Sequence, residues 1–213
     1  MLDLRAVAVP TFALAIVTAG FISRVAINAS PFLLPLMFQI GFGFSPQHAG
    51  LMVLVYMAGN LLMKSATTPI LRYFGFRNVL TINGALCAGT LFACGTLAPG
   101  DPELMIYAVL LVAGMTRSMN FTTVTTLAFA DISAEQRSGA SALATMLQQV
   151  SMSMGVAFAA FALSVSQTLH GTPALQLADF RYAWFAIGAL MALAAAGALK
   201  LDRKAGIAIS SKR

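Results

Sequence analysis

Apolar stretches of about 20 residues, the length that crosses the hydrocarbon core of a bilayer, recur along this chain from near its start to about residue 200. No soluble fold needs that many, and the composition agrees: 59% of the 213 residues are hydrophobic and 9% are charged, against roughly 25% charged in a soluble domain. The solvent of the fold is therefore lipid. The net charge of +6 does not mark a nucleic-acid binder, because the basic residues stand at the ends of the apolar runs instead of forming a patch. Arg5 precedes a run too long for the apolar region of a signal peptide, so this run reads as a first membrane helix. Cys87 and Cys94 lie in one apolar run, cannot bridge each other on a helix, and read as small packing groups.

The runs predict six helices, at about 8–40, 47–73, 78–97, 103–129, 139–166 and 181–200, making a transmembrane domain over 1–200 and a basic cytoplasmic tail over 201–213. Turn chemistry separates them: Gly41, Gly43, Ser45 and Pro46 after the first, Gly75 after the second, Pro99-Gly100-Asp101-Pro102 after the third, and Asp131 to Gly139 after the fourth. Pro31 and Pro35 are expected to kink or tilt the long first helix. Alternate ends of the helices differ in basic residues. One side carries Arg5, Arg72, Arg77, Arg137, Lys200, Arg203, Lys204, Lys212 and Arg213, and the other only Arg181. That bias places both termini in the cytoplasm. Tyr182 and Trp184, near the opposite face, fit an interfacial aromatic belt.

All seven acidic residues fall in loops or at helix ends, whereas three cations lie within membrane helices: Arg24, Lys64 and Arg117. Each costs about 2.5 to 3.5 kcal/mol at the bilayer centre on the insertion scale, so a watery cavity or a protein interior should receive them. Other polar residues join them at helical spacing. Gly20, Arg24 and Asn28 share one stripe; Tyr56, Asn60, Lys64 and Thr67 a second; Thr116, Asn120 and Thr123, beside Arg117, a third; and Ser141, Thr145 and Gln148 a fourth. The third and sixth helices carry no ionisable stripe and are expected to be peripheral. Helix-to-helix hydrogen bonding is the competing explanation for the neutral polar residues. The candidate substrate-binding set is thus Arg24, Asn28, Asn60, Lys64, Arg117, Asn120 and Gln148. His48 and His170 lie alone in loops, and no metal-ligand cluster or nucleophile–base constellation is legible, so neither cofactor nor enzymatic activity is expected.

The pattern repeats. Helices one to three and four to six form triplets whose first member carries a central arginine, Gly20-(x3)-Arg24-(x3)-Asn28 echoing Gly114-(x2)-Arg117-(x2)-Asn120. An odd-numbered triplet repeated once must be inverted in the membrane. The predicted fold is all-α, six transmembrane helices as two inverted three-helix repeats.

Particular residues resemble a known family. Leu2-Asp3-Leu4-Arg5, Phe38-Gln39-Ile40-Gly41-Phe42-Gly43-Phe44-Ser45-Pro46 leading to Ala49-Gly50-Leu51, Gly139-Ala140-Ser141 and Ser151-Met152-Ser153-Met154-Gly155-Val156 are similar to the C-terminal six helices of fourteen-helix drug:proton antiporters of the major facilitator superfamily. The resemblance implies multidrug efflux by alternating access across a bacterial inner membrane. It also implies a conformational loop at Arg72-Tyr73-Phe74-Gly75-Phe76-Arg77, in which Gly75 supplies the turn and Arg77 a cation for a neighbouring helix end, although Arg72 stands where the family has an acidic or Asn residue. The antiporter signature and proton-binding acids of the family would belong to a missing N-terminal half. That half, or a parallel homodimer partner, would complete the transporter; the other partners expected are the lipid bilayer and a small-molecule substrate, with no nucleic acid. Three uncompensated cations lean the substrate towards organic anions, with lipophilic drugs as the alternative and a non-transporting assembly subunit as a reading of another class.

Overall fold

The computed structural model describes residues 4–199 and residue 201. Asp3, Lys200, Arg203, Lys204, Lys212, Arg213 and all but Leu201 of the expected basic tail lie outside the described residues. A short 3-10 helix, Leu4–Ala8, leads into α1 (Pro10–Gly41). The next helix, Pro46–Thr96, has 51 residues and would be about 77 Å long if straight, more than twice a hydrocarbon core. It is not straight. Gly75 has φ 74° and ψ 160°, a conformation essentially closed to residues with a Cβ, and it divides the segment into α2 (46–74) and α3 (76–96). The arms fold back on each other, because Tyr56 of α2 and Asn83 of α3 both meet the Gly114–Thr116 stretch of the following helix. That helix is α4 (Glu103–Ala128), followed by α5 (Arg137–His170) and α6 (Leu177–Ala198).

Helix ends follow local chemistry. Pro46 opens α2 behind Ser45, whose hydroxyl accepts the His48 backbone N–H at 3.2 Å. Gly171 closes α5 in the left-handed region at φ 64°. Gln176 and Asp179 form a reciprocal capping box, so α6 starts at Leu177 instead of near 181. In α1 the regular helix is interrupted at Thr18 and not at a proline: Pro31 and Pro35 sit inside the helical run Ala19–Leu36, which passes into a π-helical stretch, Met37–Gly41. A π turn uses i→i+5 hydrogen bonds, seen here from the Phe42 N–H to the Met37 carbonyl at 3.0 Å.

Two buried clusters divide the bundle by level. One gathers Ala6, Phe12, Leu71, Phe76, Leu127, Ala140 and Leu201, from the start of α1, the α2–α3 turn, the end of α4, the start of α5 and beyond α6. The other gathers Phe38, Ala49, Cys94, Ile106, Leu163 and Phe180, from the opposite ends of the same helices. Six helices therefore alternate in direction, and the first and last described residues share one end. The triplets are inverted: ascending α1, Phe12 meets Phe129, Arg24 meets Thr125 and Asn28 stands beside Arg117, so α1 and α4 run antiparallel.

The triplets also exchange partners in matching fashion. A Cβ on Gly59 or Gly114 would strike backbone of the facing helix, at Leu111 and Tyr56 respectively, so α2 and α4 pack backbone to backbone. Gly155 also brings α5 close to α1, where a Cβ would stand 2.6 Å from the Val25 carbonyl oxygen. The third members pair through Gly84 on Ala195 and Gly95 on Trp184 and Phe185. Both α3 and α6 turn one face outwards, with Ile82, Leu86, Phe185 and Leu193 exposed, and one inwards. Trp184 is on the inner face of α6. It is fully buried and its indole N–H donates to the Met37 sulfur at 3.1 Å, which removes it from any interfacial belt; Tyr182, exposed, remains available to one.

Candidate functional site

The two central arginines occupy matching repeat positions but different surroundings. Arg24 is 2% exposed; its Nη2 donates to Thr125 Oγ1 at 3.0 Å, its guanidinium carbon lies 5.4 Å from the Phe121 ring centre, and its Nε is buried without a partner. The Thr125 hydroxyl can accept because its own proton goes to the Phe121 carbonyl at 2.8 Å. Arg24 is thus a fastening between α1 and α4. Arg117 is only half-buried, 6.0 Å over the Tyr56 ring, and its Nε also lacks a partner.

Arg117 opens onto a recess of about 420 Å³ whose walls come from α1, α4 and α5: Asn28, Pro31, Phe32, Arg117, Met152, Ser153 and Val156. The amide nitrogen of Asn28 is buried with no hydrogen-bond partner. Two residues that each carry one unsatisfied buried donor therefore line one concavity, with no carboxylate among its described lining residues. Buried donors without acceptors are costly, at about 1 to 3 kcal/mol each and more for charged groups. A ligand carrying oxygen acceptors would relieve both.

The other expected substrate residues are dispersed. Asn120 is 2% exposed and lines a separate void of about 10 Å³, with Gly20, Ser23, Leu80 and Met191, room for about one water beside its unpartnered Oδ1. Asn60 is half-buried next to the Gly59–Gly114 contact, Gln148 is half-buried and Lys64 is exposed, and none of the three lines the Arg117 recess. Ser153 and Met152 do line it. The stripe Ser141, Thr145, Gln148 points next to Ser151, which is buried and bonded to the Gln148 carbonyl at 2.7 Å; starting one residue later, from Gln149, a step of four reaches Ser153.

At the end shared by the first and last described residues, Arg72 is exposed, Gly75 makes the break, and Arg77 donates Nη2 to the Leu199 carbonyl, just past α6, at 3.1 Å. A cation there meets the negative end of the helix dipole. In the connection between α4 and α5, Glu135 holds its carboxyl below the usual carboxylate range because its own backbone N–H and the Ser133 hydroxyl donate to it.

The opposite end corrects two sequence expectations. Neither histidine is alone in a loop: His48 lies in the first turn of α2, stacked on Phe44 and 3.5 Å from Glu103, and His170 is the last residue of α5. Asp179 is not a loop acid but a fully buried one. It accepts from Ser166 Oγ at 2.7 Å, from the Gln176 N–H at 2.8 Å and lies 3.0 Å from His170 Nδ1. Among the described residues no group of three His, Cys, Asp or Glu side chains is placed to hold a metal.

Comparison with known proteins adds a family match: residues 2–156 fit the profile described as Major Facilitator Superfamily. Bacterial relatives provisionally named multidrug resistance protein MdtD are similar over most of the chain. The one from Pectobacterium carotovorum is 34% identical over 170 residues, covering 80% of this chain and 36% of that protein. The one from Salmonella paratyphi B is 33% identical over 199 residues, covering 92% of this chain and 42% of that protein. The chain thus spans well under half the length of these relatives.

Proposed function

Because this chain belongs to the Major Facilitator Superfamily, we propose that it supplies six helices of a secondary transporter exporting small molecules across the bacterial cytoplasmic membrane by alternating access. The remaining helices come from a preceding half or from a parallel second copy, and both termini of this segment face the cytoplasm. The basic bias supports that orientation, with Arg72, Arg77 and Arg137 at the end shared by the first and last described residues. The Arg77 contact with Leu199 supports a conformational role for the α2–α3 turn, because a single hydrogen bond to a helix end can be made in one state and released in another.

The observation that carries the substrate reading is the recess lined by Arg117 and Asn28, whose Nε and Nδ2 respectively are buried without partners. An organic anion fits it: arginine grips a carboxylate or phosphate through paired N–H donors, and Asn28 adds a neutral donor. Arg24, tied to Thr125, holds the helices that frame the recess. A second reading has its own support, since Pro31, Phe32, Met152 and Val156 give the recess apolar walls suited to lipophilic compounds, and the relatives are named for multidrug resistance.

Transport by the full-length protein in vesicles separates the readings, with a panel of carboxylates set against lipophilic cations. The anion reading expects carboxylate transport in the wild type and a loss of about tenfold or more in Arg117→Gln, from removal of a charge-assisted hydrogen bond. Export of cations that survives Arg117→Gln, with no anion moved by the wild type, overturns it.

A further inference from the structure

Two neighbouring concavities at the α2–α3 turn lie apart from the proposed substrate recess. The first is an apolar crevice of about 220 Å³ between α2 and α3, walled by Met63, Ile70, Phe74, Ile82 and Leu86 and floored by Met119 of α4. The second is a polar recess of about 460 Å³ that includes Arg77 and Thr81. They share Phe74, Asn78 and Ile82, so they form one continuous groove with a polar end and an apolar end.

The polar end has unused binding capacity. A guanidinium has five N–H donors, of which Nη2 of Arg77 engages Leu199. The Thr81 hydroxyl is buried without a partner. No carboxylate lines either concavity among the described residues. The apolar end opens on a surface of exposed Phe74, Ile82 and Leu86, the kind of surface that faces hydrocarbon. A gap there forfeits dispersion contacts unless something flexible fills it.

We propose that this groove binds one anionic phospholipid, its phosphate on Arg77 and Thr81 and one acyl chain in the crevice between α2 and α3. A soluble anion would satisfy Arg77 and Thr81 but leave the crevice empty, and a neutral or zwitterionic lipid would fill the crevice with weaker demand for the guanidinium. Only a lipid with net negative charge uses both ends. The groove lies beside Gly75, so its occupant would also brace the turn between α2 and α3.

The test uses the full-length protein carrying Leu86→Trp, reconstituted in vesicles with brominated acyl chains that quench a nearby indole. Trp184, buried in the core, supplies a constant background. Brominated phosphatidylglycerol is expected to quench the reporter at a mole fraction about fivefold lower than brominated phosphatidylcholine, the preference one basic contact confers. Arg77→Gln should abolish that preference and Arg77→Lys should retain most of it. Thr81→Val should lower it at least twofold, a reading that stands even if Arg77→Gln fails to fold. Soluble glycerol phosphate should not relieve the quenching. Equal quenching by the two lipids, a preference unchanged in both Arg77→Gln and Thr81→Val, or relief by glycerol phosphate would overturn the proposal.

Discussion

Asp179 is the one carboxylate in the described chain with no exposed surface, and it is held by polar partners from three positions. Ser166, the Gln176 backbone and His170 all turn to it across the α5–α6 connection. Asp179→Ala should therefore remove a helix cap and strand buried donors, destabilising the protein by about 2 to 3 kcal/mol, while Ser166→Ala, which removes one donor, should cost about 1 kcal/mol. Thermal unfolding of the purified protein would check this, and an unchanged midpoint in Asp179→Ala would contradict it. The sequence showed Asp179 as a loop acid because the signals for an α6 start, Gln176 and Asp179 three apart, sit in a segment whose polar residues also read as loop. Arg24 and Arg117 show a related limit. Spacing assigns each to a helix face, but whether a long side chain is tied down or open depends on the neighbour, here Thr125 for Arg24 and the Asn28 recess for Arg117. Residue type and period do not carry that information.

At the scale of elements, the breaks were legible where a residue with special backbone freedom made them. Gly75 divides α2 from α3 in this way, at a positive φ, whereas Gly171, also at a positive φ, ends α5 at a position the sequence did not single out, past the helix end expected near 166. The interruption of α1 at Thr18 has its glycine two residues on, at Gly20, where a Cβ would strike the Ala15 carbonyl, and the prolines drew attention to the wrong part of the helix. Packing between elements rests on glycines that spacing alone does not single out. Gly114 meets the Tyr56 carbonyl, so Gly114→Val should force α4 away from α2, with a loss of about 1 to 3 kcal/mol. Gly89 has open space around its Cβ position, and Gly89→Ala should be neutral or stabilising by up to about 1 kcal/mol through helix propensity. Folded yield and unfolding midpoint of the two variants provide the comparison; similar losses in both would show that the α2–α4 contact is not close.

At the scale of the whole molecule, the inverted repeat was readable because an odd number of helices leaves no alternative once the polar pattern recurs. What the pattern did not carry is how the triplets interlock, α1 with α5 and α4 with α2, since that depends on Gly155, Gly59 and Gly114 reaching a facing backbone. The interlock produces the recess between α1, α4 and α5, and the account of substrate binding rests on six helices crossing in alternation. Side-specific labelling tests that alternation most directly. The native Cys87 and Cys94 are 2% and 1% exposed and should stay silent to a membrane-impermeant maleimide. Single cysteines at the exposed Gln47, Gly100 and Ala174 should react on intact cells, and those at the exposed Tyr73 and Ala134 only after permeabilisation. Reaction of Tyr73→Cys or Ala134→Cys on intact cells, together with Ala174→Cys, would place opposite ends of the bundle on one side of the membrane and contradict the account.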